Sequence, residues 1–262
     1  MSVAWTGGHG VDGMNAAGAR GNAGAAGDAG FEDGDREPRT GEPMTPEAPQ
    51  MPEWLTTLAE KARNMEVDPY LRPPATGGRR AAILVLFGEG PLGPDLLLIQ
   101  RSDAMRKHAG QPAFPGGGLD EDDDGPIAAA LREAEEETGL EPAGVEIAAV
   151  MPELYLRHSD NRVTPVLAWW RDPSAVHAAD PREVASVERV PVAELADPAN
   201  RVMIRSPDGY KSPAFHVRGL LVWGFTAGVV DRLLSLGGWE KPWDRNRVEG
   251  LPAQVISLAA RD

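Results

Sequence analysis

The sequence predicts an α/β (α+β) architecture, a mixed β-sheet with helices packed on its faces, on three observations. Two apolar runs of strand length, "RAAILVLFG" (80–88) and "DLLLIQR" (95–101), flank the turn-rich "EGPLGP" (89–94) and read as a hairpin. At helical spacing, residues 126–138 place Ile127, Leu131, Ala134 and Thr138 on one stripe, the pattern of a helix laid on a sheet. Further strand-like and helical runs follow through residue 236, the succession that a layered fold of sheet and helices needs, and no internal repeat appears.

Residues 1–50 are rich in Gly, Ala and acids, with a Pro-rich end, and too poor in large apolar residues to offset their ordering entropy. They are expected to be a disordered tail. Residues 51–78 hold a short amphipathic helix, "PEWLTTLAEKARN" (52–64), and a Pro-broken linker. The main domain is placed at 79–240 and a C-terminal extension at 241–262. Within the domain, "VEIAAVMPELYL" (145–156) and "RVTPVLAWWR" (162–171) are strand-like, and "VPVAELAD" (190–197) is a short helix. "RVMIRSPDGYKSPAFHV" (201–217) reads as a hairpin across Pro-Asp-Gly. "GLLVWGFTAGVVDRLLSL" (219–236) is apolar around most of its circumference and predicts a buried helix. Trp169, Trp170 and Trp223 are assigned to the core.

Composition narrows the function classes. The longest nearly uncharged apolar run, 219–230, is too short for a bilayer, and the N-terminus lacks a secretory pattern, so a cytoplasmic location is expected. With no cysteine, disulfides and thiolate metal sites are excluded. A net charge of −14, of which −9 lies beyond residue 50, argues against nucleic acid or a membrane surface as partner. A small-molecule substrate is expected instead, including an anionic one where cations gather locally, and the oligomeric state, monomer or homodimer, stays open.

Glu133, Glu135, Glu136 and Glu137 crowd the last turn of the predicted helix, after the acidic run "DEDDD" (120–124). A solvated face normally mixes Lys with Glu, whereas Glu133 and Glu137 form a like-charge i, i+4 pair that costs about 0.2–0.5 kcal/mol. They also lie at the negative end of the helix dipole. Glu133, Glu136 and Glu137 share an arc opposite the apolar stripe, Glu135 points elsewhere, and Ala129 and Ala130 leave room for another group. Clustered carboxylates suit a hard divalent cation such as Mg²⁺. A calcium loop does not: Asp120, Asp122, Asp124 and Gly125 begin one, but its twelfth position is Leu131 and Pro126 already starts a helix. Gly139 is placed to end the helix in the left-handed conformation.

This spacing resembles the Nudix box, G-x5-E-x7-R-E-U-x-E-E-x-G-U with U aliphatic. Gly118 opens it, and Arg132-Glu133-Ala134-Glu135-Glu136-Glu137-Thr138-Gly139-Leu140 completes it without a gap, with Asp124 where the family usually has Glu. The resemblance implies a Nudix-type mixed sheet sandwiched between helices, with a loop-helix-loop catalytic motif. It also implies a hydrolase of nucleoside diphosphate derivatives that uses Mg²⁺ or Mn²⁺, with Arg132, Glu133, Glu136 and Glu137 as catalytic residues. Glu133 and Glu137 are the implied principal metal ligands, Glu136 supports them, and a Gly117 or Gly118 carbonyl adds another. Arg132 is expected to orient a carboxylate, the alternative being an ordinary surface pair with Glu136.

Upstream, "RSDAMRKHAGQPAFPGG" (101–117) resembles the signature preceding the box in the coenzyme A pyrophosphatase branch of that family. Ser102, Arg106, His108, Gly110, Gln111, Phe114, Pro115, Gly116 and Gly117 fall in step, while Pro112 replaces an aliphatic residue. "SDNRVTPVLA" (159–168) and "VWGFTAG" (222–228) extend the likeness. The implied substrate is coenzyme A or a related nucleotide, held by Arg101, Ser102, Arg106, His108, Gln111, Gly116 and Gly117. Its phosphates suit arginine donors. Lys107 is a weaker candidate, no signal places Asn161, Arg157 or Arg162, and one tryptophan is a candidate to stack on adenine. Two alternatives stand beside this reading: hydrolysis of ADP-ribose, NADH or dNTPs, and a non-catalytic nucleotide-binding module. The sequence does not identify the general base.

Overall fold

The computed structural model describes residues 49–105, 108–206 and 209–252 of the 262-residue chain. The expected tail, up to residue 48, and residues 253–262 of the C-terminal extension lie outside the described residues. The chain begins its regular structure with α1 (Glu53–Arg63), followed by the hairpin β1 (Arg79–Gly90) and β2 (Gly93–Arg101). Gly90 pairs with Gly93, so the turn is only Pro91–Leu92 and the strands run further into "EGPLGP" than expected. The short strands β3 (Pro112–Ala113) and β4 (Gly116–Gly118) lead into α2 (Gly125–Thr138). Pro112 is accommodated because β3 pairs over only two positions, Gln100 with Pro112 and Ile99 with Ala113.

β5 (Val145–Val150), β6 (Leu154–Leu156), β7 (Asn161–Trp170), β8 (Val184–Pro191) and α3 (Val192–Leu195) follow. β7 runs parallel to β1, whereas β2, β5 and β6 pair antiparallel with their neighbours, so the sheet is mixed. It has eight strands, with β3-β2-β1-β7-β5 as its path and β4, β6 and β8 attached to β1, β7 and β2. Of these, β8 was not anticipated, because Glu188 and Arg189 interrupt its apolar pattern. Arg189 is accommodated by pairing with the buried Asp95 at 2.8 Å while lying over the Trp170 ring.

Alternation along β1 divides the core into the two layers expected of a sheet between helices. Ala82, Leu84 and Leu86 join Ala129, Ala130 and Ala134 of α2 on one face. Val85 and Phe87 join Leu55 and Leu58 of α1 on the other. The N-terminal helix is therefore part of the domain core. Trp169 and Trp170 are buried as expected, while Trp223 is only partly buried against a small third cluster.

A second, four-stranded sheet is built from β9 (Arg201–Arg205), β10 (Lys211–Val217), β11 (Leu220–Val222) and, after α4 (Gly224–Leu236), β12 (Val248–Gly250). Its strand order is β11-β10-β9-β12. β9 and β10 form the expected hairpin, although Pro207 and Asp208 of its turn lie outside the described residues. The helix expected from residue 219 begins only at Gly224, because Leu220–Val222 pair with β10. A continuous apolar run does not distinguish a buried strand from a buried helix.

Arg201 is fully buried at the start of β9. Its guanidinium is hydrogen-bonded to Asp231 of α4, stands 3.9 Å from Glu240, and lies against the Trp243 and Phe215 rings. Among the described residues no helix is long and apolar enough to cross a membrane.

Candidate active site

The acidic end of α2 is positioned by small residues. Ala129, Ala130 and Ala134 have almost no side-chain bulk, so the helix lies close on β1 and β4. That approach carries Glu133 and Glu137 of the same flank under β4. Glu137 is only 3% exposed, which corrects the expectation that it shares an open face with Glu136. Glu137 Oε2 accepts a hydrogen bond from the Gly116 N–H at 2.9 Å, and Oε1 lies 3.5 Å from Arg101 Nη1. Burial pushes this carboxyl up to about 7; the Gly116 N–H and Arg101 oppose the rise, and the Glu133 and Glu183 charges add to it.

The Glu133 carboxylate rests on the backbone of Gly117, where any Cβ would collide with it. Burial raises its pKa too, against the pull of Arg132. Glu135 and Glu136 stay exposed. Arg132 connects the remainder: Nε and Nη2 fork onto Asp123 at 3.1 and 2.9 Å, and Nη1 donates to Glu133 at 3.1 Å and Glu136 at 3.3 Å. Nη2 also reaches the Gly118 carbonyl at 3.1 Å, so that oxygen is already engaged by an arginine. The pair with Glu136 thus exists, but as one arm of a network that orients carboxylates. Asp123 leaves the solvated role expected of "DEDDD": Arg132 holds its carboxyl below the usual range, and it also accepts from the Asp120 N–H. Its four acidic neighbours in the run remain exposed.

The C-terminal end of α2 is tied down independently. Gly139 adopts φ 66° as expected and returns its N–H to the Glu135 carbonyl. The β7–β8 connection then donates the His177 N–H to Thr138 and the Ala179 N–H to Glu137, at 3.0 and 3.1 Å. The same connection pins the upstream segment, since Ser102 N–H donates to the Glu183 carbonyl at 2.7 Å.

Arg101 closes a loop with Gln111 and Gly110 through backbone hydrogen bonds of 3.0 and 3.1 Å. Inside that loop His108 Nδ1 lies 3.2 Å from Gln111 Oε1, and the buried Ser102 accepts from Ala104. Arg101, Gly116, Gly117, Glu133 and Glu137 are thus brought together, with Ser102, His108 and Gln111 on the loop anchored to Arg101. Arg106 and Lys107 lie outside the described residues. Arg162 is committed to Glu153 at 2.6 Å and Arg157 donates to the Tyr70 carbonyl. Sequence reasoning did not single out Asp123 or Glu183. Asp123 sits within an acidic run and Glu183 within the mixed-charge stretch "DPREVASVER" (180–189), with no local signal to separate either from solvated acids.

The donor set fits a hard divalent cation: two carboxylates one turn apart, half-buried to buried, each raised in pKa by burial and raised further by neighbouring acids. Among the described residues no three His, Asp or Glu side chains form a ready-made metal cage. Arginines stand between the acids instead, Arg132 against Glu133 and Arg101 against Glu137. A cation such as Mg²⁺ that keeps several waters and takes substrate oxygens needs few protein ligands.

A sequence model of the NUDIX domain matches residues 77–207. The chain is 38% identical over 173 residues to a protein described as an uncharacterized Nudix hydrolase, NudL, from Escherichia coli strain K12; the match spans 64% of this chain and 88% of that one. The NudL of Shigella boydii serotype 4 matches to the same extent. Among solved structures, a Nudix hydrolase from M. smegmatis, RenU, is similar with TM-score 0.46 and 21% identity, over 65% of this chain and 92% of that one. The NUDIX domain of Shewanella oneidensis NrtR, complexed with ADP ribose, is similar with TM-score 0.37 and 23% identity, over 55% and 86%.

Proposed function

This chain belongs to the Nudix hydrolase family, and from that premise we propose that it cleaves the diphosphate of coenzyme A or an acyl-coenzyme A. The products are adenosine 3′,5′-bisphosphate and 4′-phosphopantetheine or its acylated form. The observation that carries this reading is the Arg101–Gly117 segment, which resembles the coenzyme A pyrophosphatase signature and folds as a loop anchored beside the Glu133–Glu137 pair. Arg101, Ser102, Arg106, His108, Gln111, Gly116 and Gly117 are the proposed substrate contacts.

Glu133 and Glu137 are the proposed ligands of Mg²⁺ or Mn²⁺, with Glu136 at the rim and a glycine-loop carbonyl beside them. Such an ion, when bound, stabilises charge on the phosphoryl oxygens and lowers the pKa of water attacking phosphorus. The chain's own residues orient and desolvate. Arg132 holds Glu133 toward the Gly117 backbone, the Gly116 N–H fixes Glu137, and α2 packing excludes bulk water from the latter. An anionic substrate in an acidic protein needs local cations, which the upstream loop supplies.

Incubation with coenzyme A, ADP-ribose, NADH and dNTPs under Mg²⁺, with products read by mass spectrometry, tests the substrate. Coenzyme A is expected to turn over fastest. Slow cleavage of coenzyme A beside fast cleavage of another substrate would overturn the assignment and leave a hydrolase of that other nucleotide.

A further inference from the structure

The two arginines at the acid pair are held very differently. Arg132 directs its nitrogens at five oxygens within 3.3 Å. Arg101 has a 3.5 Å ion pair to Glu137 Oε1 and a 3.0 Å contact to the thioether of Met105, a weak acceptor. Its Nε is buried without a hydrogen-bond partner. A guanidinium offers five donors, and leaving a buried one unmade is costly. The Arg101 backbone, by contrast, is fixed by hydrogen bonds to Gln111 and Gly110. It also sits at the register shift between Gln100 and Arg101 that ends the regular β2–β8 pairing. A fixed backbone with an under-bonded charged head describes a side chain held in place chiefly by the one buried carboxylate it faces.

We propose that Arg101 is the resident counter-cation of Glu137 in the metal-free protein, displaced when a divalent ion takes that carboxylate and thereby released to bind a substrate phosphate. The inference rests on the reading of Glu133 and Glu137 as metal ligands. Two cations do not share one buried carboxylate without strong repulsion, so metal entry weakens the contact that holds the guanidinium. The freed fork is suited to a phosphate, where its donors find the strong acceptors they lack beside Glu137. Metal and substrate binding are thereby coupled through one side chain, and the metal-free site is kept from standing as an uncompensated buried charge.

Mn²⁺ binding to the full-length wild type, R101Q and R101K, followed by electron paramagnetic resonance without substrate, tests the proposal. R101Q is expected to bind Mn²⁺ about 10-fold more tightly, as for loss of one competing ion pair, with R101K between it and the wild type. In turnover, R101Q raises KM far more than it lowers kcat. Thermal unfolding checks that the variants are folded, and R101K serves where R101Q is not. Unchanged or weaker Mn²⁺ binding by the folded variants would overturn the counter-cation role while leaving the metal site intact. Absence of Mn²⁺ binding to the wild type would remove the metal site itself, and this inference with it.

Discussion

Two ionic clusters in this protein use the same ingredients to opposite ends. Around Arg201, one fully buried guanidinium is enclosed by Asp231, Glu240 and two aromatic rings. Burial pushes the arginine down and Asp231 up, and their mutual attraction opposes both shifts. At the end of α2, Glu133, Glu136 and Glu137 face two arginines, and burial raises the pKa of Glu133 and pushes that of Glu137 up to about 7. The first cluster is closed and knits the second sheet to α4. The second leaves two raised carboxyls beside partly exposed arginines, the place proposed above for a divalent ion. The difference lies in access: Arg201 has no exposed surface, whereas Arg132 and Arg101 are 28% and 20% exposed.

The largest expected effect lies in the closed cluster. R201M leaves Asp231 buried beside Glu240 and should cost about 3–5 kcal/mol in urea unfolding, with kcat of the folded enzyme little changed at low temperature. A large fall in kcat from that variant would erase the distinction between the clusters. In the open cluster the order reverses: E137Q should lower kcat/KM by at least about 100-fold, beyond what loss of an outer-shell partner costs, while the protein stays folded.

The pH dependence sharpens the same contrast. In metal-free buffer the Glu137 carboxyl titrates near 7 in the folded state against 4.5 for an unperturbed one, so the folded state favours its protonated form. That stabilisation is complete below about 4.5 and lost as the pH rises through about 7. Wild type should therefore lose on the order of 2–3 kcal/mol relative to E137Q between pH 5 and 8, and Mg²⁺ should abolish the difference. A flat difference across this range would contradict the buried-charge account of Glu137. The smallest effect concerns the helix end: G139A forces a Cβ into a left-handed position against the His177 ring and should cost about 1 kcal/mol in thermal or urea unfolding.

What the sequence disclosed follows from what is local. The β1–β2 hairpin and the Gly139 cap are set by neighbours within a few residues, and each was legible. The sheet-facing stripe of α2 was legible only in part: Ala134 and Thr138 are buried as expected, but Ala129 and Ala130, expected to border the acidic face, are fully buried against the sheet, while Ile127 and Leu131 are only partly buried. The box spacing and the upstream segment identified the family before any geometry was known. What stayed hidden depends on distant chain segments. Helical phase placed Glu137 beside Glu136, yet β4 covers only the former, because it folds over that flank. Asp123 became distinct only through Arg132, nine residues on. Likewise β8 is a strand because β2 offers it an edge and Asp95 receives Arg189, a pairing that spans some ninety residues.

The β7–β8 connection carries a consequence for how this protein can vary. Its amides at His177 and Ala179 grip the carbonyls of Thr138 and Glu137, and the Glu183 carbonyl grips Ser102. One connector therefore acts as a gauge block between the acidic helix and the upstream loop. A residue gained or lost between Ala179 and Glu183 would move one grip relative to the other and misalign the site from outside it. Length changes in this lineage should accumulate at places such as the exposed Pro91–Leu92 turn, and be scarce in this connector, although no residue of it belongs to the Nudix box.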